Sequence, residues 1–155
     1  MNSYTPTLDI SVRFDAPTDI VWAALTDERC TAEWWPSLEL AAKRGGRAGV
    51  ITPRPKKKRP RTARGRVAEL DAGHEIVLAI ESTPRGFEST VTITVTRAKG
   101  RTKVRVVESG LPSGHYAELV AAECRDGWRE VLGALDDHLA ERRNVERIRA
   151  RLGGS

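Results

Sequence analysis

"LDISVRFDAPTDIVWAALTD" (residues 8–27) changes its hydrophobic period once, and that change sets the start of the fold. Leu8, Ile10, Val12 and Phe14 alternate with Asp9, Ser11 and Arg13, which predicts a half-buried strand. Pro17 then suits a helix start, with Thr18 and Asp19 in the first turn, where their oxygens meet free N–H groups. Ile20, Val21, Ala24 and Leu25 follow at helical spacing. A second short helix is predicted near 28–34. Pro36 closes it, because proline disfavours helical geometry in the residue before it.

Downstream, the period returns to two. Strands are predicted at 38–43, 47–53, 62–70, 74–82, 86–98 and 101–110, separated by "RGG" (44–46), "DAG" (71–73), "PRG" (84–86) and "KGR" (99–101). In "GFESTVTITVT" (86–96), Phe87, Ser89, Val91, Ile93 and Val95 share one face, and Glu88 and threonines take the other. Short connections imply antiparallel pairing.

The last third is helical. Val120, Cys124, Trp128, Val131, Leu132, Leu135 and Leu139 form one stripe, opposite Glu123, Arg125, Arg129, Glu130, Asp136 and Asp137. The stripe continues through Val145, Ile148 and Leu152. One helix over 115–151 would be roughly 55 Å long at 1.5 Å per residue. Its end, 140–152, either bends back or projects. A projecting stripe would invite a partner, a second copy of the chain included.

Composition agrees with a single domain over 1–155. Apolar residues make up 39%, enough for a real core. The net charge is +5, yet eight basic residues fall within 54–66, leaving 18 basic against 21 acidic residues elsewhere. The high pI therefore comes from that one segment, whose hairpin loop, 53–63, carries Arg54, Lys56, Lys57, Lys58, Arg59 and Arg61. Pro53, Pro55 and Pro60 prevent continuous pairing there. The loop is read either as a solvated surface or as a contact for an acidic protein or an anionic surface. It lacks interleaved aromatics, which argues against nucleic acid. Cys30 and Cys124 lie far apart, which fits a reducing compartment. The start "MNSYTPTLDI" has no signal-peptide pattern, and no apolar run reaches transmembrane length, so a cytoplasmic protein is expected.

The runs "FDAPTDIVWAALTDERCTAEWWP" (14–36) and "RDGWREVLGALDDHL" (125–139) resemble the START/Bet v-like superfamily, also called SRPBCC. "GRVAELDAGHEIVL" (65–78) fits more loosely. The branch it resembles contains the C-terminal domain of the activator of heat shock protein 90 ATPase and polyketide cyclase-like proteins. The resemblance covers essentially the whole chain. It implies an α+β helix-grip fold: a curved antiparallel sheet of about six to seven strands wrapped around a long C-terminal helix, with two short helices after strand one. It also implies a cavity between sheet and helix, which relatives use for lipids, sterols, polyketides or plant hormones.

The expected cavity residues are Trp34, Trp35, Phe87, Val91, Val106, Glu108, Tyr116, Cys124 and Trp128. Trp34 and Trp35 are adjacent, so either one packs in the core and the other faces the cavity mouth, or both are packing residues. Trp22 and Trp128 sit on helical stripes and read as core, although the resemblance turns the Gly127–Trp128 pair to the cavity. Gly127 either brings the helix close to the sheet or leaves room for a ligand. Glu108 shares a face with Val104 and Val106 and points inward, unless a bulge returns it to water. An inward carboxylate could hold a ligand hydroxyl or act as an acid/base. His115 and Tyr116, at the helix entrance, are its candidate catalytic partners. His74 and His138 read as surface residues. No metal-ligand spacing, P-loop or nucleophile elbow is present, so neither metal nor cofactor is expected.

These readings favour binding of a small hydrophobic or aromatic molecule. The alternatives are a cyclase- or dehydratase-type enzyme using the same cavity, and a chaperone co-factor or protein-interaction module.

Overall fold

A computed structural model describes residues 7–52, 61–83, 86–114 and 116–153. Strand β1 (Leu8–Phe14) leads into α1 (Thr18–Thr26) and α2 (Glu28–Trp34). Strands β2 (Leu38–Leu40), β3 (Arg47–Thr52), β4 (Arg61–Asp71), β5 (Glu75–Thr83), β6 (Phe87–Ala98) and β7 (Arg101–Ser109) follow. Helices α3 (Ala117–Ala140) and α4 (Arg142–Gly153) complete the order. The seven strands form one sheet, β1-β7-β6-β5-β4-β3-β2. Every neighbouring pair is antiparallel. This is the α+β helix-grip arrangement.

Alternation carries the core. Leu8 and Phe14 of β1, Ile76, Leu78 and Ile80 of β5, Phe87, Val91, Ile93 and Val95 of β6, and Val104 and Val106 of β7 are buried on the inner face. Strand β4 carries an irregularity in its pairing. Its pairing with β5 shifts between Val67 and Glu69, and a bulge there bends the strand. Two residues earlier, a Cβ on Gly65 would fall on the carbonyl oxygen of Ala79. Only glycine lets the backbones approach so closely.

Strand β2 stops at Leu40 instead of running to 43. The chain turns there: the Ala41 N–H reaches the Arg47 carbonyl (2.8 Å), and the Gly46 N–H reaches the Lys43 carbonyl (2.8 Å). At the other end of the sheet pairing, β3 and β4 run together as far as Thr52 and Arg61. The loop residues Arg54, Lys56, Lys57, Lys58 and Arg59, and the side chain of Arg61, lie outside the described residues.

The single helix expected over 115–151 is two helices, and 140–152 does not project. Glu141 is extended (φ −82, ψ 111), and the Asn144 amide donates to the His138 carbonyl (2.9 Å), satisfying an end carbonyl of α3. Helix α4 then folds back, and Ile148 is fully buried. Arg147 and Arg151 donate to the two oxygens of Glu33 in α2 (3.0 and 2.9 Å). Arg151 also reaches the Arg29 carbonyl (3.2 Å) and Cys30 Sγ (3.5 Å). Partial burial alone would raise the Glu33 carboxyl, but the hydrogen bonds from Arg151 and Arg147 outweigh it and hold the group below its ordinary value. Burial pushes the Cys30 thiol up, against the Arg151 hydrogen bond.

This fold-back also corrects the surface reading of His138. Its side chain is only 9% exposed, and Nε2 lies 3.6 Å from Glu33 Oε2 without a hydrogen-bond partner. Burial pushes the imidazole below its ordinary 6.5, against the opposing pull of the Glu33 carboxylate. The unfolded chain therefore takes up a proton in a range where the folded chain resists it. Stability from this group is fully present above about pH 6.5 and falls as pH drops through the window below it. The thermal midpoint is expected to decline from pH 7.5 to 5.5, and His138→Gln to flatten that decline. An unchanged slope in the variant would assign the pH dependence elsewhere. Glu33 titrates below this window, so it does not mimic the effect.

Candidate functional site

The C-terminal half of α3 is anchored in the core through Leu132, Leu135 and Leu139. In its N-terminal half Ala117 and Ala121 are buried, while Leu119 is 58% exposed. Beneath the helix is a cavity of about 610 Å³. The sheet supplies Val50, Ala63, Ile76, Leu78, Ile80, Val91, Ile93 and Glu108 as one wall. Trp22 and Leu25 of α1, Trp35 after α2, and Cys124, Gly127, Trp128 and Val131 of α3 supply the other. The size and the mostly apolar lining suit a small organic molecule.

Glu108 points inward, as its alternation with Val104 and Val106 predicted, and is 6% exposed. Its register partner on β6 is Val91, and Ser89 lies one pleat away. Ser89 Oγ donates to Glu108 Oε2 (2.7 Å), and Trp128 Nε1 donates to Oε1 (3.0 Å). The carboxylate thus ties the sheet to α3 across the cavity. Trp128 meets Trp35 edge to face, centroids 6.3 Å apart, and Trp35 tilts against Trp34 at 5.5 Å. Such ring pairs prefer these offset geometries.

The adjacent tryptophans divide their tasks. Trp34 donates its indole N–H to the Ala24 carbonyl (2.8 Å) and packs on the core. Trp35, at the end of α2, lines the cavity. Of the other expected residues, Val91, Cys124 and Trp128 also line it. Phe87 and Val106 are buried in the core and are not among the lining residues. Tyr116 is 67% exposed ahead of α3 and outside the lining, and His115 lies outside the described residues. A Cβ on Gly127 meets nothing within 4 Å, so this glycine leaves open space and does not seat the helix against the sheet. Two residues go beyond the sequence reading: Trp22, which lines the cavity, and Ser89, which holds Glu108 but is not among the lining residues. Trp22 was read as core but is half-buried and faces the cavity. Ser89 was placed on the inner face, but nothing in its own segment showed that it holds Glu108. The signal was a lone serine and a lone glutamate on otherwise apolar strand faces.

Among the described residues, no group of His, Cys, Asp and Glu side chains could hold a metal ion, and no helix is long and apolar enough to cross a membrane.

Solved structures repeat this architecture. DynU16, a protein of the dynemicin biosynthetic locus, is 24% identical, with a TM-score of 0.70 over 86% of this chain; the match spans only 47% of DynU16 itself. CV1439 from Chromobacterium violaceum is 21% identical, with a TM-score of 0.72, covering 87% of this chain and 98% of that one. An HSP90 activator from Plasmodium falciparum is 21% identical, with a TM-score of 0.61 over 80% of this chain and 88% of its own. At 21–24% identity these likenesses establish the fold alone. No curated protein matches the chain. The sequence pattern of the Activator of Hsp90 ATPase homolog 1-like proteins matches residues 15–140, and the chain belongs to that family.

Proposed function

We propose that the protein binds a small hydrophobic or aromatic molecule between α3 and the sheet. The observation that carries this reading is the cavity of about 610 Å³, walled by aliphatic side chains and three indoles. Gly127 adds to the support, because a glycine mid-helix costs about 1 kcal/mol relative to alanine. Here no close packing offsets that cost, and Gly127 is one of the residues lining the cavity.

The test has two parts. Native mass spectrometry of freshly purified protein looks for a retained one-to-one complex. Titration with the neutral fluorophore 1-pyrenemethanol reads energy transfer from the cavity indoles. Saturable one-to-one binding is expected, with a thermal midpoint raised by about 5 °C or more at roughly a hundredfold excess over Kd. No complex by either method would contradict the reading.

A protein-partner role is the second reading. Its support is the family description together with Tyr116 and Leu119, two large exposed side chains at the start of α3. Tyr116→Ser with Leu119→Ser should weaken capture of a chaperone partner if that surface is used, and equal capture would remove it. An enzymatic role has less support, because Tyr116 is 67% exposed and is not among the residues lining the cavity that holds Glu108.

A further inference from the structure

We infer that the ligand of this cavity carries a cationic nitrogen on its aromatic or hydrophobic body. This rests on the cavity being a ligand site, as proposed above, and adds the ligand's charge. Among the described residues, the charged side chains lining the cavity are Glu108, Glu123, Asp126 and Glu130, all acidic. Glu123 already has an interaction of its own. The other three differ in depth: Glu108 is buried, while Asp126 and Glu130 are exposed on α3.

Glu108 is the strongest determinant. Its partners, Ser89 and Trp128, are neutral donors, one on each oxygen. A carboxylate offers about four lone-pair sites, so two acceptor positions remain beyond these bonds. No Lys, Arg or His among the described residues forms an ion pair with it. A buried carboxylate gains most from a cationic partner that also donates hydrogen bonds. Trp128 is bonded to it, Trp35 packs on Trp128 and lines the same cavity, and indole faces attract ammonium groups. An anionic ligand such as a fatty acid would place like charge against Glu108 in a site of low dielectric, which is unfavourable. The acidic rim adds attraction for a cation at longer range, screened by salt.

The test uses three probes with one body and different charge: 1-pyrenemethylammonium, 1-pyrenemethanol and 1-pyrenecarboxylate, titrated at low salt. The ammonium is expected to bind at least about tenfold tighter than the alcohol, a difference of about 1.4 kcal/mol, with the carboxylate weakest. Glu108→Gln should bring the ammonium to within about threefold of the alcohol, both measured in that variant. Should that variant not fold, the exposed double variant Asp126→Asn/Glu130→Gln carries the comparison, with an expected loss of about threefold in ammonium preference. Alcohol or carboxylate binding as tight as the ammonium overturns the charge assignment and leaves the cavity reading standing. Binding by none of the three overturns both. An ammonium preference unchanged in every folded variant removes the acids as its cause.

Discussion

Gly65→Ala is expected to destabilise the fold by about 3 kcal/mol, the upper end of what overpacking costs, and to lower the thermal midpoint by about 10 °C. Gly65 lies mid-strand in β4, paired with Ala48 on one side and Ile80 on the other. A methyl group there would land on the Ala79 carbonyl oxygen, with the Ile80 Cα 3.1 Å away. Neither obstacle is a flexible side-chain end, so the strands themselves must part. Gly127→Ala is the internal control. It meets nothing within 4 Å and should instead gain up to about 1 kcal/mol from helix propensity. Urea unfolding of both variants checks the contrast. Equal stability of Gly65→Ala and the parent would mean that β4 and β5 do not approach so closely at Gly65.

Ile148→Ala is expected to cost about 3–4 kcal/mol, within the range for truncating a fully buried isoleucine. Ile148 is 0% exposed and sits on the short helix α4, which packs against α1 and α3. The same substitution at Leu152, 43% exposed on the same helix, should cost well under 1 kcal/mol. The two measurements separate a helix docked through its buried face from one that merely extends α3. A cost below about 1 kcal/mol at Ile148 would contradict the docking.

The behaviour of α4 also shows where sequence pattern stops being informative. Val145, Ile148 and Leu152 continue the spacing of α3, so periodicity alone describes one long rod. The break depends on an asparagine capping the helix before it and on a receiving surface built by α1 and α2. Both are tertiary facts. His138 was misread for the same reason: Asp136 and Asp137 beside it look solvated, but the returning helix covers the imidazole.

The sheet was legible because strand alternation is a local property. Phe87 to Val95 and Leu8 to Phe14 announce their inner faces without reference to neighbours. That alternation also placed Glu108 inward. Its partners needed more: Ser89 is brought into reach by the β6–β7 register, and Trp128 by where α3 crosses the sheet. Trp22 and Trp35 were harder still. Helical spacing says that a tryptophan faces inward, not whether a packed core or open space awaits it.

The most direct test of the cavity's role is Gly127→Leu. Gly127 shares the inner side of α3 with Cys124, Trp128 and Val131, and leucine is a better helix former than glycine. The side chain should occupy ligand space without loosening the fold. Titration with 1-pyrenemethanol is expected to show binding weakened by at least about tenfold in the variant, with the thermal midpoint unchanged or raised. A folded Gly127→Leu protein that binds the probe as tightly as the parent would contradict the assignment of this cavity as the ligand site.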